Sequence, residues 1–159
     1  MLANPNDNSS TRNSACKTRR RANVCRRHDL RSPRTIHSFR INRIRAEQGL
    51  SQLRLNYKLC AMARSHSSNM AGSGYLSHTD SLGRGFKERL GSKTVERCRA
   101  GENVGTNNFP DSARVAVEGW RQSPKHLKNI LNEKFTDTGI GVAVNSEGLV
   151  FFTQIFLGK

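Results

Sequence analysis

From Thr35 onward apolar side chains recur first at helical and later at strand spacing. Ile36, Phe39, Ile41 and Ile44 predict an amphipathic helix running to about Glu47 and ended by Gly49. A second helix is predicted from about Asn56 to Ala71, with Leu59, Ala63, His66 and Met70 in one stripe and Cys60 beside it as a small apolar residue. Gly72-Ser73-Gly74 breaks that helix, Tyr75 to Asp80 follows as a loop, and a short helix is expected near Gly85 to Leu90. A polar connection then leads to Gly101-Glu102-Asn103-Val104. Asp111 or Ser112 can cap the next helix, because a short side-chain oxygen accepts from the free N–H groups of a first turn. Ala113, Ala116, Val117, Trp120 and Ser123 share one face of it. Pro124 lacks an N–H and disfavours helical geometry at Ser123, so a corner is expected there, with His126 just beyond it. Leu127, Ile130 and Leu131 can pack a second short helix, on which His126 would be an ordinary surface residue.

Two strands close the chain, Gly139 to Val144 and Leu149 to Phe156, joined by the turn Asn145-Ser146-Glu147-Gly148. In the last strand Val150, Phe152 and Phe156 fall on one face, and Phe151, Ile155 and Leu157 on the other. A strand apolar on both faces is covered on both faces, which predicts a three-layer helix–sheet–helix sandwich.

At 159 residues the chain suffices for one ordinary core, and its 35% hydrophobic content is low for that. The polarity is concentrated at the start. Residues 1–34 hold nine Lys/Arg against two Asp, nearly half of the chain's net charge of +15. They are predicted to be a disordered basic tail, since such a segment buries too little to offset its ordering entropy; residues 35–159 form the domain. Arg19-Arg20-Arg21 and Arg26-Arg27 suit an anionic polymer or membrane surface; no aromatic residues are interleaved, so base stacking on nucleic acid is not expected. No apolar run near Met1 reaches the length of an export-signal core. Cys16, Cys25, Cys60 and Cys98 contain no C-x-x-C pair, and Cys25 with His28 is too little for a zinc finger.

The candidate chemistry is polar and is expected at loop positions beside Gly or Pro breaks: His78, Glu102 and His126. Two imidazoles and a carboxylate can hold a divalent cation, or can serve as an acid–base set. His66 lies on the apolar face and reads as a hydrogen-bonded core histidine.

Several stretches resemble the CAP superfamily (the SCP domain), in its bacterial and archaeal branch. They are Ala63-Arg64-Ser65-His66-Ser67 with Met70-Ala71, Gly74 to Thr79, Gly101-Glu102-Asn103-Val104, and Trp120 to His126 through Asn129-Ile130-Leu131. Phe135-Thr136 with Gly139 to Val142, and Thr153 to Phe156, complete the resemblance over about residues 35–158. It implies an α+β fold of α-β-α sandwich type with a cleft, in proteins that are usually secreted or at the cell surface. Carried over by motif, the cleft holds His78, Glu102 and His126, with the histidines able to ligate a divalent cation such as zinc. The family's second glutamate falls at Ser123, where Ser123 is expected to lie within reach of His126; Glu118 lies about 200° round the helix from Trp120 and faces away. Lys125 adds a cation near the site.

Three functions follow. One is a non-enzymatic, secreted or surface-associated binding module for a lipid, peptide or glycan. Another is a metal-dependent hydrolase with His78 and His126 as ligands and Glu102 as general base. The third is polyanion or nucleic-acid association through the tail, nucleic acid being the less expected partner.

Overall fold

A computed structural model describes residues 33–158 apart from 92, 93, 95 and 97. The elements are α1 (Pro33–Glu47), β1 (Arg54–Leu55), α2 (Tyr57–Ser73), α3 (Phe86–Leu90), β2 (Arg99–Asn107), α4 (Ser112–Gln122), α5 (Pro124–Ile130), β3 (Phe135–Val144) and β4 (Val150–Gly158). The expected behaviour of the tail, and the Cys25–His28 pair, lie outside the described residues. The first helix begins at Pro33, two residues ahead of the composition shift.

The strands form one sheet in the order β1-β3-β4-β2, with β1 parallel to β3 and the other pairs antiparallel. The alternation along β4 is as expected. Phe152 and Phe156 pack with Trp120, Val117, Ile130, Ile41 and Ile44 under α1, α4 and α5. Ile155 packs with Leu59 and Ala63 of α2, and Phe151 with Met70. Helices thus cover both faces, and the chain is an α+β three-layer sandwich.

Asn56 caps α2 through its side-chain oxygen, which accepts from Lys58 and Leu59 N–H at 3.1 and 3.3 Å. Gly74 ends it in the left-handed region at φ 69°, a conformation that costs glycine little. The middle of α2 lies directly on β3, because Gly139 and Gly141 have no side chain there; a Cβ at either would run into the backbone of Leu59 or Ala63. Ser67, fully buried, is hydrogen-bonded to Gly141 O at 3.1 Å and to Thr153 Oγ1 at 2.8 Å, which fixes the helix against two strands.

Three local expectations are corrected. Phe39 is 71% exposed, because the buried face of α1 is His37, Ile41, Ile44 and Arg45, and Phe39 points away from it. Asp111 stands at the start of α4 without capping it; its carboxylate accepts from Arg114 Nε at 3.0 Å instead. Residues 99–107 are an edge strand and not a loop. Its backbone pairs with β4, although Gly101, Asn103 and Gly105 give it no alternating apolar signal.

Candidate functional site

The site straddles the free edge of β2. Glu102 pairs in register with Ile155, on the α2 face of the sheet, so its side chain is 2% exposed. A carboxylate at that depth needs partners, and it has two. Both of its oxygens lie 2.9 Å from Arg89 Nη2 of α3, and His78 Nδ1 lies 2.9 Å from Oε1. An ionised carboxylate only accepts, so His78 Nδ1 donates and its Nε2 faces outward as an acceptor when the ring is neutral. The His78 side chain is 56% exposed.

The loop bearing His78 is held from behind. Ser77 O accepts from His66 Nε2 at 2.8 Å, and His78 O accepts from Arg89 Nη2 at 3.0 Å. His66 is 2% exposed and hydrogen-bonded, as expected of a core histidine. Its pKa is lowered by burial first, then by the positive charge of Arg89; Glu102, the Ser77 bond and His78 enter as smaller influences.

On the opposite side of the edge stands His126, in the first turn of α5 and not in a loop. Asn103 and Asn129 bind α5 to the strand. Asn129 Nδ2 donates to Glu102 O at 3.2 Å and to Asn103 Oδ1 at 2.8 Å, while Asn103 Nδ2 donates to His126 O at 3.2 Å. Trp120 Nε1 donates to Val104 O at 3.0 Å, and Gly105 leaves room for that indole. The rings of Trp120 and His126 are 6.2 Å apart. His126 is half-buried, its Nδ1 is buried without a partner among the described residues, and burial followed by the proximity of His78 lowers its pKa. The structure thus brings His78 and Glu102 into contact and sets His126 across the strand edge from them.

Ser123 links α4 to α5 in extended geometry, and its carbonyl accepts from Leu127 N–H at 2.8 Å. Its hydroxyl makes no hydrogen bond to His126 among the described residues. Glu118 is exposed and accepts from Gln122 at 3.0 Å, away from the cleft as expected. Lys125 is exposed. Sequence reasoning missed Arg89, Asn103 and Asn129. The GEN and N-I-L stretches contain the two asparagines, but an arginine on a five-residue helix gives no signal of its own.

The donor set bears on a cation. Two imidazoles are on offer, His78 through Nε2, with Glu102 behind it as an orienting carboxylate. Among the described residues no three His, Cys, Asp or Glu side chains converge on one point. Both Glu102 oxygens are engaged by a guanidinium, whose charge opposes a second cation. The set fits weak two-imidazole ligation completed by water. It falls short of the three protein ligands of a catalytic zinc site.

The profile of the cysteine-rich secretory protein (CAP) family matches residues 39–156. The uncharacterized membrane protein YlbC of Bacillus subtilis is 37% identical over 118 residues, 74% of this chain and 32% of YlbC. An extracellular protein containing an SCP domain from Bacillus anthracis superposes with a TM-score of 0.69 at 31% identity, over 80% of this chain and 40% of that one. An outer surface protein of Borrelia burgdorferi shares the fold at a TM-score of 0.70 and 17% identity, over 82% of this chain and 96% of that one. The chain therefore spans about a third of YlbC and two fifths of the anthracis protein. With the sandwich, the strand-edge cleft and the profile in agreement, the chain belongs to the CAP (cysteine-rich secretory protein) family.

Proposed function

We propose that this domain is a non-enzymatic binding module acting outside the cell or at its surface, with the His78–Glu102–His126 cleft receiving a lipid, peptide or glycan. The extracellular setting rests on its similarity to an extracellular SCP-domain protein. One observation carries the choice of binding over catalysis. The Glu102 side chain is 2% exposed, with both oxygens held by Arg89 and one also by His78. A general base must reach a substrate proton or a bound water, directly or through one water. Here the carboxylate serves as an anchor that fixes His78 and the loop before α3.

A second reading is favoured by the unpartnered His126 Nδ1. A divalent cation such as zinc, bound weakly between His126 and His78, would complete the coordination of both rings. For the tail, an anionic polymer or membrane surface remains the proposed partner, on charge alone.

Trp120 is the only tryptophan and lies beside His126, so its fluorescence reports on the cleft. Titrating the full chain with a fatty acid, a short peptide set and wall-derived oligosaccharides should find one class that changes Trp120 emission. That response should weaken in His78→Ala and His126→Ala, with no product formed. Turnover of any of these compounds, abolished by Glu102→Gln, would replace the binding module with an enzyme.

A further inference from the structure

Arg89 is the least satisfied buried cation in the described chain. Its side chain is 9% exposed. Nη2, with two N–H groups, faces three acceptors: both Glu102 oxygens and His78 O. Nε is buried without a partner, and Nη1 makes no hydrogen bond among the described residues. The Nε–H group is therefore unused at a depth where an unused donor is costly, and the two N–H groups of Nη1 are free to reach an outside acceptor.

The same residue lines a groove of about 380 Å³ between α2 and the 80–84 loop, shared with Ser65, Ser68, Asn69, Asp80 and Arg84. His78, Glu102 and His126 do not line it, so it is separate from the cleft, with Arg89 between the two. Its spare donors favour a ligand that accepts. Asp80 is fully engaged by Leu82 N–H, Arg84 N–H and the Arg84 guanidinium at 2.9–3.0 Å. Arg89 is paired with Glu102 on its far side, so the groove presents arginine donors and no free carboxylate. Ser65 and Ser68 are exposed on consecutive turns of α2, with hydroxyls free to donate. His66 lines the back of the groove; with Nε2 donating to Ser77 O, Nδ1 of the neutral ring is an acceptor, so the donors come from the arginines and serines.

We propose that this groove is a second ligand site, specific for an oxyanion (a phosphate or carboxylate group on a small polar molecule), with Arg89 supplying Nη1 and Arg84, Ser65 and Ser68 flanking it. Glu102 holds the guanidinium in place from the cleft side, so the donors are preorganised. Neutral polar molecules would accept more weakly from these cationic donors and bind less well.

The test is calorimetric titration of the full chain with inorganic phosphate, glycerol 1-phosphate and acetate. Saturable binding of at least one is expected, and the tightest of the three distinguishes free phosphate, a phosphate ester and a carboxylate as the source. Ser68→Glu puts a negative charge on an exposed helical position at the groove mouth and should weaken binding by about tenfold or more without loss of folding. Arg89→Lys keeps the charge opposite Glu102 but removes the spare fork, and should also weaken binding. His126→Ala, confined to the cleft, should leave it unchanged. Binding that Ser68→Glu does not alter, binding lost with His126→Ala, or no binding of any of the three anions would overturn the proposal.

Discussion

Arg45 and Arg89 are both buried arginines, and they are used in opposite ways. Arg45 is 1% exposed and turns every nitrogen toward backbone carbonyls. Nε donates to Ser51 O at 2.8 Å, Nη1 to Ile130 O at 2.7 Å and Asn132 O at 2.9 Å, and Nη2 to Phe135 O at 3.4 Å. It ties α1 to the end of α5 and the start of β3, where helix-end carbonyls carry partial negative charge. Arg89 uses one nitrogen on a carboxylate and a loop carbonyl and keeps two in reserve beside a groove. A buried cation with a partner for every nitrogen belongs to the scaffold. One left partly unmatched, among imidazoles and a carboxylate, belongs to a site.

The largest effect is expected on the scaffold side. Arg45→Met leaves four buried or half-buried carbonyls without their donor and should destabilise the fold by about 5 kcal/mol, read as a lower urea midpoint. Arg45→Lys should recover only part of that, since one ammonium cannot reach all four oxygens. A loss below 1 kcal/mol would remove Arg45 from the frame.

Next is a pH effect from the same face of the sheet. His37 is fully buried, set edge-on to Trp120 with ring centroids 4.9 Å apart, and neither ring nitrogen has a partner among the described residues. Burial, then the charge of Arg40, holds its pKa at about 3. The unfolded chain takes up a proton near pH 6.5 that the folded chain refuses, so stability should fall as pH drops from about 6.5 toward 3. The full loss is on the order of 5 kcal/mol. Denaturant titrations across that window should show a clearly flatter profile for His37→Phe; parallel profiles would mean the ring is not buried neutral.

On the site side the effects are smaller. Arg89→Gln leaves Glu102 buried with His78 alone and should cost about 2–3 kcal/mol. Adding Glu102→Gln should recover much of that, giving a coupling of roughly 1.5–3 kcal/mol in a double-mutant cycle. Additive losses would show that the pair is not coupled. The smallest effect concerns Ser123, where the family pattern has a carboxylate. Ser123→Glu should leave stability within about 0.5 kcal/mol and raise zinc affinity about tenfold by adding a negative charge near the two imidazoles. Unchanged affinity would place any cation away from His126.

Much of the scaffold was legible in the sequence because periodicity encodes it. Asn56 and Gly74 bracket α2, and the apolar residues on both faces of β4 required a layer of helices on each side. What escaped is held by side chains from distant segments. β2 carries glycines and asparagines because Asn129 and Trp120 come from α5 and α4 to satisfy its outer carbonyls, and no local pattern records that. Phe39 looked apolar and therefore inward, yet the buried α1 face includes His37 and Arg45, which polarity rules place outside. The family resemblance singled out His78, Glu102 and His126, and the first two do touch. Arg89 was invisible, since its role depends on a carboxylate thirteen residues away on another element.

The contrast between the two arginines can be read in one experiment, the arginine Nε–H resonances of labelled full-length protein during a phosphate titration. The Arg45 signal, bonded to Ser51 O, should be protected from hydrogen exchange and stay fixed. The Arg89 signal, without an acceptor, should move and saturate as phosphate fills the groove. Movement of both signals, or of Arg45 alone, would contradict the division between a matched scaffold cation and a site cation with donors in reserve.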